Sequence, residues 1–197
     1  MSLTDDPRAA EVLDFWFGRP DEPWYLQTRP EWFRKDAVFD VSIRTRFGAV
    51  LRAALAGELA DWERTPPGAL ARIVVLDQFT RHAYRHTPRA FAGDAQALAA
   101  AKALVAGGRD RKLKPLQRCF AYLPFEHSED AADQAESLRL FGALAAQHPA
   151  QADWLDSARR HQAVIARFGR YPHRNAVLGR DSTAEELAFL EEPGSRF

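Results

Sequence analysis

Phe39, Ile43, Phe47 and Leu51 recur at every fourth position of DAVFDVSIRTRFGAVLRAALAG, and Val50, Ala54 and Leu55 widen the stripe. That period puts them on one face of an α-helix and is incompatible with a half-buried strand, which needs alternation. Asp36 is placed to cap the start and Gly57 to end it. PRAAEVLDFWFG presents Val12, Leu13, Phe15 and Trp16 after a first-turn Pro7, and stops at Gly18. TPPGALARIVVLDQFTRHAYRH opens on Thr65 and a proline pair; its IVVL run suits a buried strand too, but some twenty residues without an internal breaker predict a helix. DAQALAAAKALVAGG has Asp94 as expected N-cap and Gly107 as stop. PLQRCFAYL, SEDAADQAESLRLFGALAAQ, PAQADWLDSARRHQAVIARFG and STAEELAFLEE complete the series, the last with Ser182 and Glu185 in capping-box spacing. No alternating strand or hairpin signal interrupts them.

The expected fold is therefore all-α: a single domain over residues 1–197, built of about eight helices packed as antiparallel hairpins. GRPDEPWYLQTRPEW is the one longer connection. Helix pairs of roughly 34 residues recur without a repeated residue pattern, so any solenoid character is degenerate.

An apolar content of 46% supplies a sizeable core without disulfides, and the single cysteine, Cys119, sits among apolar neighbours as core filler. The start of the chain is acidic where a signal peptide needs basic residues, and no stretch approaches a membrane span, so a cytoplasmic, non-membrane protein is expected. Basic and acidic residues balance at 27 each, which argues against a nucleic-acid binder. Their distribution is uneven: between Asp156 and Asp181 lie six arginines and no acid.

Three clusters concentrate polar chemistry. In LDQFTRHAYR, Asp77 and Arg81 are helical neighbours four apart, with Gln78 and His82 on an adjacent strip; they form either an ion pair between helices or the lining of a groove. In LPFEHSED, Pro124 is expected to break one helix and Ser128 to cap the next, with Glu129 and Asp130 in its first turn. Glu126 and His127 then stand outside both helices, and such a pair is suited to acid–base work. The spacing is a poor match to a metal site, and no metal or cofactor is expected. The third cluster is RFGRYPHRNAVLGRDST. Arg167, Arg170, Arg174 and Arg180, with His173 and Asn175, exceed what a turn requires. Planar guanidinium forks suit carboxylates and phosphates, either on a ligand or on Asp77, Glu126, Glu129 and Asp130 of the chain itself. Nucleophile elbows and glycine-rich phosphate loops are missing.

Taken in order, DQFTRHAYR, LPFEHSED with Gln134 and Ser137, and RFGRYPHRNAVLGRDSTAEELAFL resemble the successive signatures of the bacterial family catalogued as domain of unknown function 924. EVLDFWFG and EWFRKDAVFD match as well, so the resemblance covers nearly the whole chain. It implies a tetratricopeptide-like helical array and no established activity. The motif residues it carries over are Asp77, Gln78, Arg81, Glu126, His127, Ser128, Glu129, Asp130, Arg167, Arg170, His173, Arg174 and Asn175. It implies an asparagine after Arg81, where this chain has His82.

The leading functional expectation is a helical-repeat protein that binds an anionic small molecule or peptide carboxylate. The site would comprise Asp77, Gln78, Arg81, Glu126, His127, Arg167, Arg170, His173, Arg174 and Asn175. The alternative is a hydrolase with His127 or His173 as base, a carboxylate such as Glu126 as its orienter, and arginines stabilising an oxyanion. A third reading is an interaction module docking through Trp24, Tyr25, Trp32 and Phe33.

Overall fold

The structure, a computed structural model, describes residues 6–195; it is all-α, with no strand among the described residues. The chain packs as two compact units, one running to Arg85 and resuming over Arg89–Pro124, the other comprising His86–Pro88 and the residues from Phe125 onward.

The first unit contains α1 (Pro7–Phe17), α2 (Ala37–Leu55), α3 (Pro66–Ile73), α4 (Thr80–Ala83), α5 (Asp94–Ala106) and most of α6 (Pro115–His127). Asp6 and Asp36 cap α1 and α2 by accepting backbone N–H groups, and Gly18 ends α1 at φ +82°. The IVVL segment is helical, as its length predicts, but Val74–Phe79 adopts a π-helical turn between α3 and α4. Every residue from 71 to 80 is buried, so this helix is enclosed on all sides and forms the middle of the unit. The alanine-rich α5 packs against α3. Its N-cap is Gly93, with Asp94 one position inside, correcting the expected cap. A Cβ at Gly93 would collide with the Leu76 carbonyl, so a side chain there is incompatible with the close approach. An aromatic cluster closes the other side: Trp16 stacks on Trp32 at 5.5 Å, and Phe120 meets Trp32 edge-on at 4.7 Å. Trp32 is thus core rather than a docking residue, while Phe33 is 61% exposed. Cys119 is buried.

The second unit contains the end of α6, α7 (Ala131–Gln147), α8 (Ala152–Phe168), α9 (Asn175–Leu178) and α10 (Ala184–Leu190). A four-residue link, 148–151, folds α7 back on α8 as a hairpin around Leu140, Phe141, Leu144, Ala158, Val164 and Ile165. Three local expectations are corrected. Pro124 lies inside α6, which continues to His127, so Glu126 and His127 belong to its last turn. The α7 cap is Asp130, whose Oδ1 accepts from the N–H groups of Ala132 and Asp133 at 2.8 and 3.2 Å; Ser128 instead bridges Asp130 N and Asp133 Oδ2. The capping box of α10 is Thr183 with Glu186, one residue later than the Ser182 and Glu185 spacing suggested.

Candidate functional site

In the first unit, Asp77 is fully buried and satisfied locally. Gln78 Nε2 donates to its Oδ2 at 2.6 Å, and Arg81 Nη1 lies 3.2 Å from its Oδ1. Arg81 then forks onto both oxygens of Asp94 at 2.8 and 3.0 Å, tying α4 to the start of α5. Asp77, Gln78 and Arg81 therefore form a brace, the ion-pair alternative. One turn on, His82 Nδ1 lies 2.8 Å from Asp40 Oδ1, and Arg85 contacts both Asp40 oxygens at 2.8 Å. Burial holds the His82 imidazole below its ordinary pKa despite the carboxylate beside it.

The arginine-rich segment of the second unit is largely occupied by the chain's own acids. Arg170 grips Glu186 with Nε at 2.6 Å and Nη2 at 2.8 Å, and this contact holds the Glu186 carboxyl down to about 2. Arg180 forks onto Glu129 at 2.7 and 3.0 Å while its Nε donates to Asn175 Oδ1 at 2.9 Å. Burial raises the Glu129 carboxyl, but hydrogen bonds from Arg180 and from the Tyr171 N–H outweigh it, and the net shift is downward. Arg167 pairs with Glu185 at the surface. Of the four acids named as internal partners, Glu129 takes Arg180, while Glu185 and Glu186 of α10 take Arg167 and Arg170. Asn175 Nδ2 donates to Ser182 Oγ, so this amide staples the loop.

What remains converges on Tyr171, which is fully buried. Its hydroxyl donates to the Glu126 carbonyl and accepts from Gln134 Nε2 at 2.9 Å. Burial pushes the phenol well above its usual range, so it stays protonated, although the Arg174 charge pulls the other way. The Arg174 guanidinium lies 4.5 Å over the Tyr171 ring, His173 sits 5.5 Å from it, His161 meets it edge-on at 5.6 Å, and His127 is 6.2 Å from His161. Three predicted residues, Glu126, His173 and Arg174, are thereby brought to Tyr171, and His127 is brought to His161 beside it.

Glu126 is 1% exposed. Its Oε1 receives Ser157 Oγ at 3.0 Å and faces His161 Nδ1 at 3.0 Å, while Oε2 has no hydrogen-bond partner in the protein. Gln134 Nε2 donates to the carbonyls of Glu126 and Ser128 at 2.7 Å each, closing the exposed carbonyl end of α6; its Oε1 has no partner, and neither has Ser137 Oγ one turn further on. His161 is thus an imidazole within reach of a carboxylate here, one outside the predicted set. Sequence reasoning missed His161, Ser157 and Tyr171. His161 and Ser157 lie four apart on α8, a spacing that marks one face, but RRHQ reads as a solvated surface. Among the described residues no group of three or more His, Cys, Asp or Glu side chains is arranged to hold a metal ion. Among the described residues no helix is long and apolar enough to cross a membrane.

The family model described as a bacterial protein of unknown function, DUF924, matches residues 12–194. A solved structure, that of the protein of unknown function ATU0120 from Agrobacterium tumefaciens, is 36% identical to this chain. It superposes with a TM-score of 0.81 over 94% of this chain and 97% of that one. No curated protein matches the chain.

Proposed function

Since the chain belongs to this bacterial DUF924 family, whose membership brings no activity with it, we propose that its second unit binds a small anionic molecule that also carries hydrogen-bond donors. The observation that supports this is the set of buried, unpartnered polar atoms: Glu126 Oε2, Gln134 Oε1 and Ser137 Oγ. Each such group costs about 1–3 kcal/mol when left unmade. Two of the three are pure acceptors, so the complement is a donor. Arg174 and His173, on the Tyr171 ring, supply the attraction for the anionic end. Arg170 and Arg180 brace the loop that positions them. We place this helical-repeat protein in the cytoplasm, a placement supported by the buried lone cysteine.

Malate and succinate test this, because they share two carboxylates and differ by one hydroxyl donor. In calorimetric titrations of the full chain, malate binds more tightly than succinate, and both Arg174→Ala and Glu126→Gln weaken malate by about tenfold or more, one charged contact each. Equal affinity for the two acids, or an Arg174→Ala chain that unfolds rather than losing affinity, contradicts the proposal. The contact between His161 and Glu126 favours a second reading, acid–base catalysis on the same ligand. Turnover seen by NMR that is lost in His161→Gln while binding persists would select it.

A further inference from the structure

The first unit holds a cleft that none of the expected site residues lines. It measures about 510 Å³ and lies between the end of α1, the connection 18–29 and α2, within the size range of small-molecule sites. Phe15 and Trp24 supply its apolar wall, and Glu11, Asp14, Glu22, Arg19, Arg29 and Arg46 its charge.

The arginines are committed. Arg29 donates to the Phe15 carbonyl at 3.0 Å, pairs with Glu31 and lies 4.6 Å over Trp24. Arg46 pairs with Glu11 and stacks on Phe15 at 4.9 Å. Arg19 is 3.5 Å from Asp21 and 4.0 Å from Glu22, whose other oxygen accepts the Arg19 N–H at 2.7 Å. Asp14 alone among the lining acids has neither a hydrogen bond nor an ion pair to its carboxylate among the described residues. It also stands in the last turn of α1, where the helix dipole disfavours negative charge and where no basic residue offsets it. Asp14 itself is exposed at the rim of the cleft; what burial it has raises its carboxyl, Arg19 opposes this, and Glu22 and Asp21 add to it. A charge that the fold itself disfavours, facing a cleft, is a pattern of function held at the expense of stability.

We propose that this cleft binds a small organic amine, its ammonium group on Asp14 and its carbon chain along Phe15 and Trp24. Rigid neighbours frame the position: a Cβ on Gly18 would come within 2.9 Å of the Trp24 ring, so the connection can lie against α1 only with glycine there.

Putrescine is the probe, with 1,4-butanediol as its neutral counterpart and the full chain as the protein. Calorimetry should give saturable putrescine binding and none for the diol. Asp14→Asn should weaken putrescine by about tenfold, one ion pair's worth, while the ligand-free melting temperature stays level or rises. Putrescine binding that Asp14→Asn leaves unchanged, equal binding of the diol, or a fall in the ligand-free melting temperature of Asp14→Asn each overturns the proposal, the last because it would make Asp14 a brace.

Discussion

Replacing Gln134 by glutamate exchanges one nitrogen for one oxygen at a point where the nitrogen is in use. Gln134 Nε2 sits 2.7 Å from the carbonyls of Glu126 and Ser128 and 2.9 Å from the Tyr171 hydroxyl, all in a buried setting. A carboxylate there would press oxygen against two carbonyl oxygens, so the folded chain takes it as the neutral acid, which keeps one donor and loses the other. Holding a glutamate of ordinary pKa about 4.3 protonated at pH 7 costs about 2.7 units at about 1.36 kcal/mol each, or about 3.7 kcal/mol. The missing hydrogen bond adds about 1 kcal/mol. Gln134→Glu should therefore lose up to about 5 kcal/mol at pH 7 but only about 1.5 kcal/mol near pH 4.5. The sign follows from linkage: the folded pKa is raised, so the variant's stability is highest below the unfolded pKa and declines as pH rises toward the folded one. Urea unfolding at both pH values, with Gln134→Leu as the variant that cannot titrate, measures this. Gln134→Leu should lose about 2–3 kcal/mol at both, because the Ser128 carbonyl loses its amide partner in either case. A Gln134→Glu chain within about 1 kcal/mol of the parent at pH 7, or one tracking Gln134→Leu across pH, would show that the amide does not close α6 as described.

Glu186 titrates in the opposite direction. Its carboxyl is held down to about 2 by Arg170, so the stability it contributes is complete above the unfolded value near 4.5 and disappears as pH falls toward 2. Glu186→Gln should flatten the acid limb of a melting-temperature profile and lower the melting temperature at pH 7; an unchanged acid limb would mean the pair with Arg170 does not form. Gly93→Ala would ordinarily gain up to about 1 kcal/mol of backbone entropy. Here the new methyl would meet the Leu76 carbonyl, with 2.9 Å to its carbon, so thermal unfolding should show a net loss of about 1–3 kcal/mol.

Periodicity carried the helices because it reports which face each segment buries. The Phe39, Ile43, Phe47 and Leu51 stripe is buried throughout, and Gly18 and Gly169 end their helices where they stand in the sequence. Termini were less legible, since Ser128, Asp130, Ser182 and Thr183 are all competent caps and only the path of the chain selects among them. The π turn at Val74–Phe79 left no mark, as its residues are apolar in either geometry. For the site, the surplus of arginines was visible but not their partners. Glu185 was accounted for as the capping-box partner of Ser182, and nothing in the spacing singled out Glu186. Tyr171 was hidden for the converse reason, an aromatic between Arg170 and Pro172, where sequence offers no sign that its hydroxyl would gather Glu126 and Gln134.

That π turn also sets an angle. Each residue of a helix advances the chain by about 100°, so one residue taken from Val74–Phe79, leaving a plain α-helix, would rotate everything after it by about that amount. His82 would swing from Asp40 and Arg81 from Asp94, although no residue of either pair had been touched. The segment works as a phase shifter. It lets a helix whose first half is aligned by apolar packing present its second half to two carboxylates on different helices, and it makes the number of residues there, more than their identity, the quantity the fold must keep.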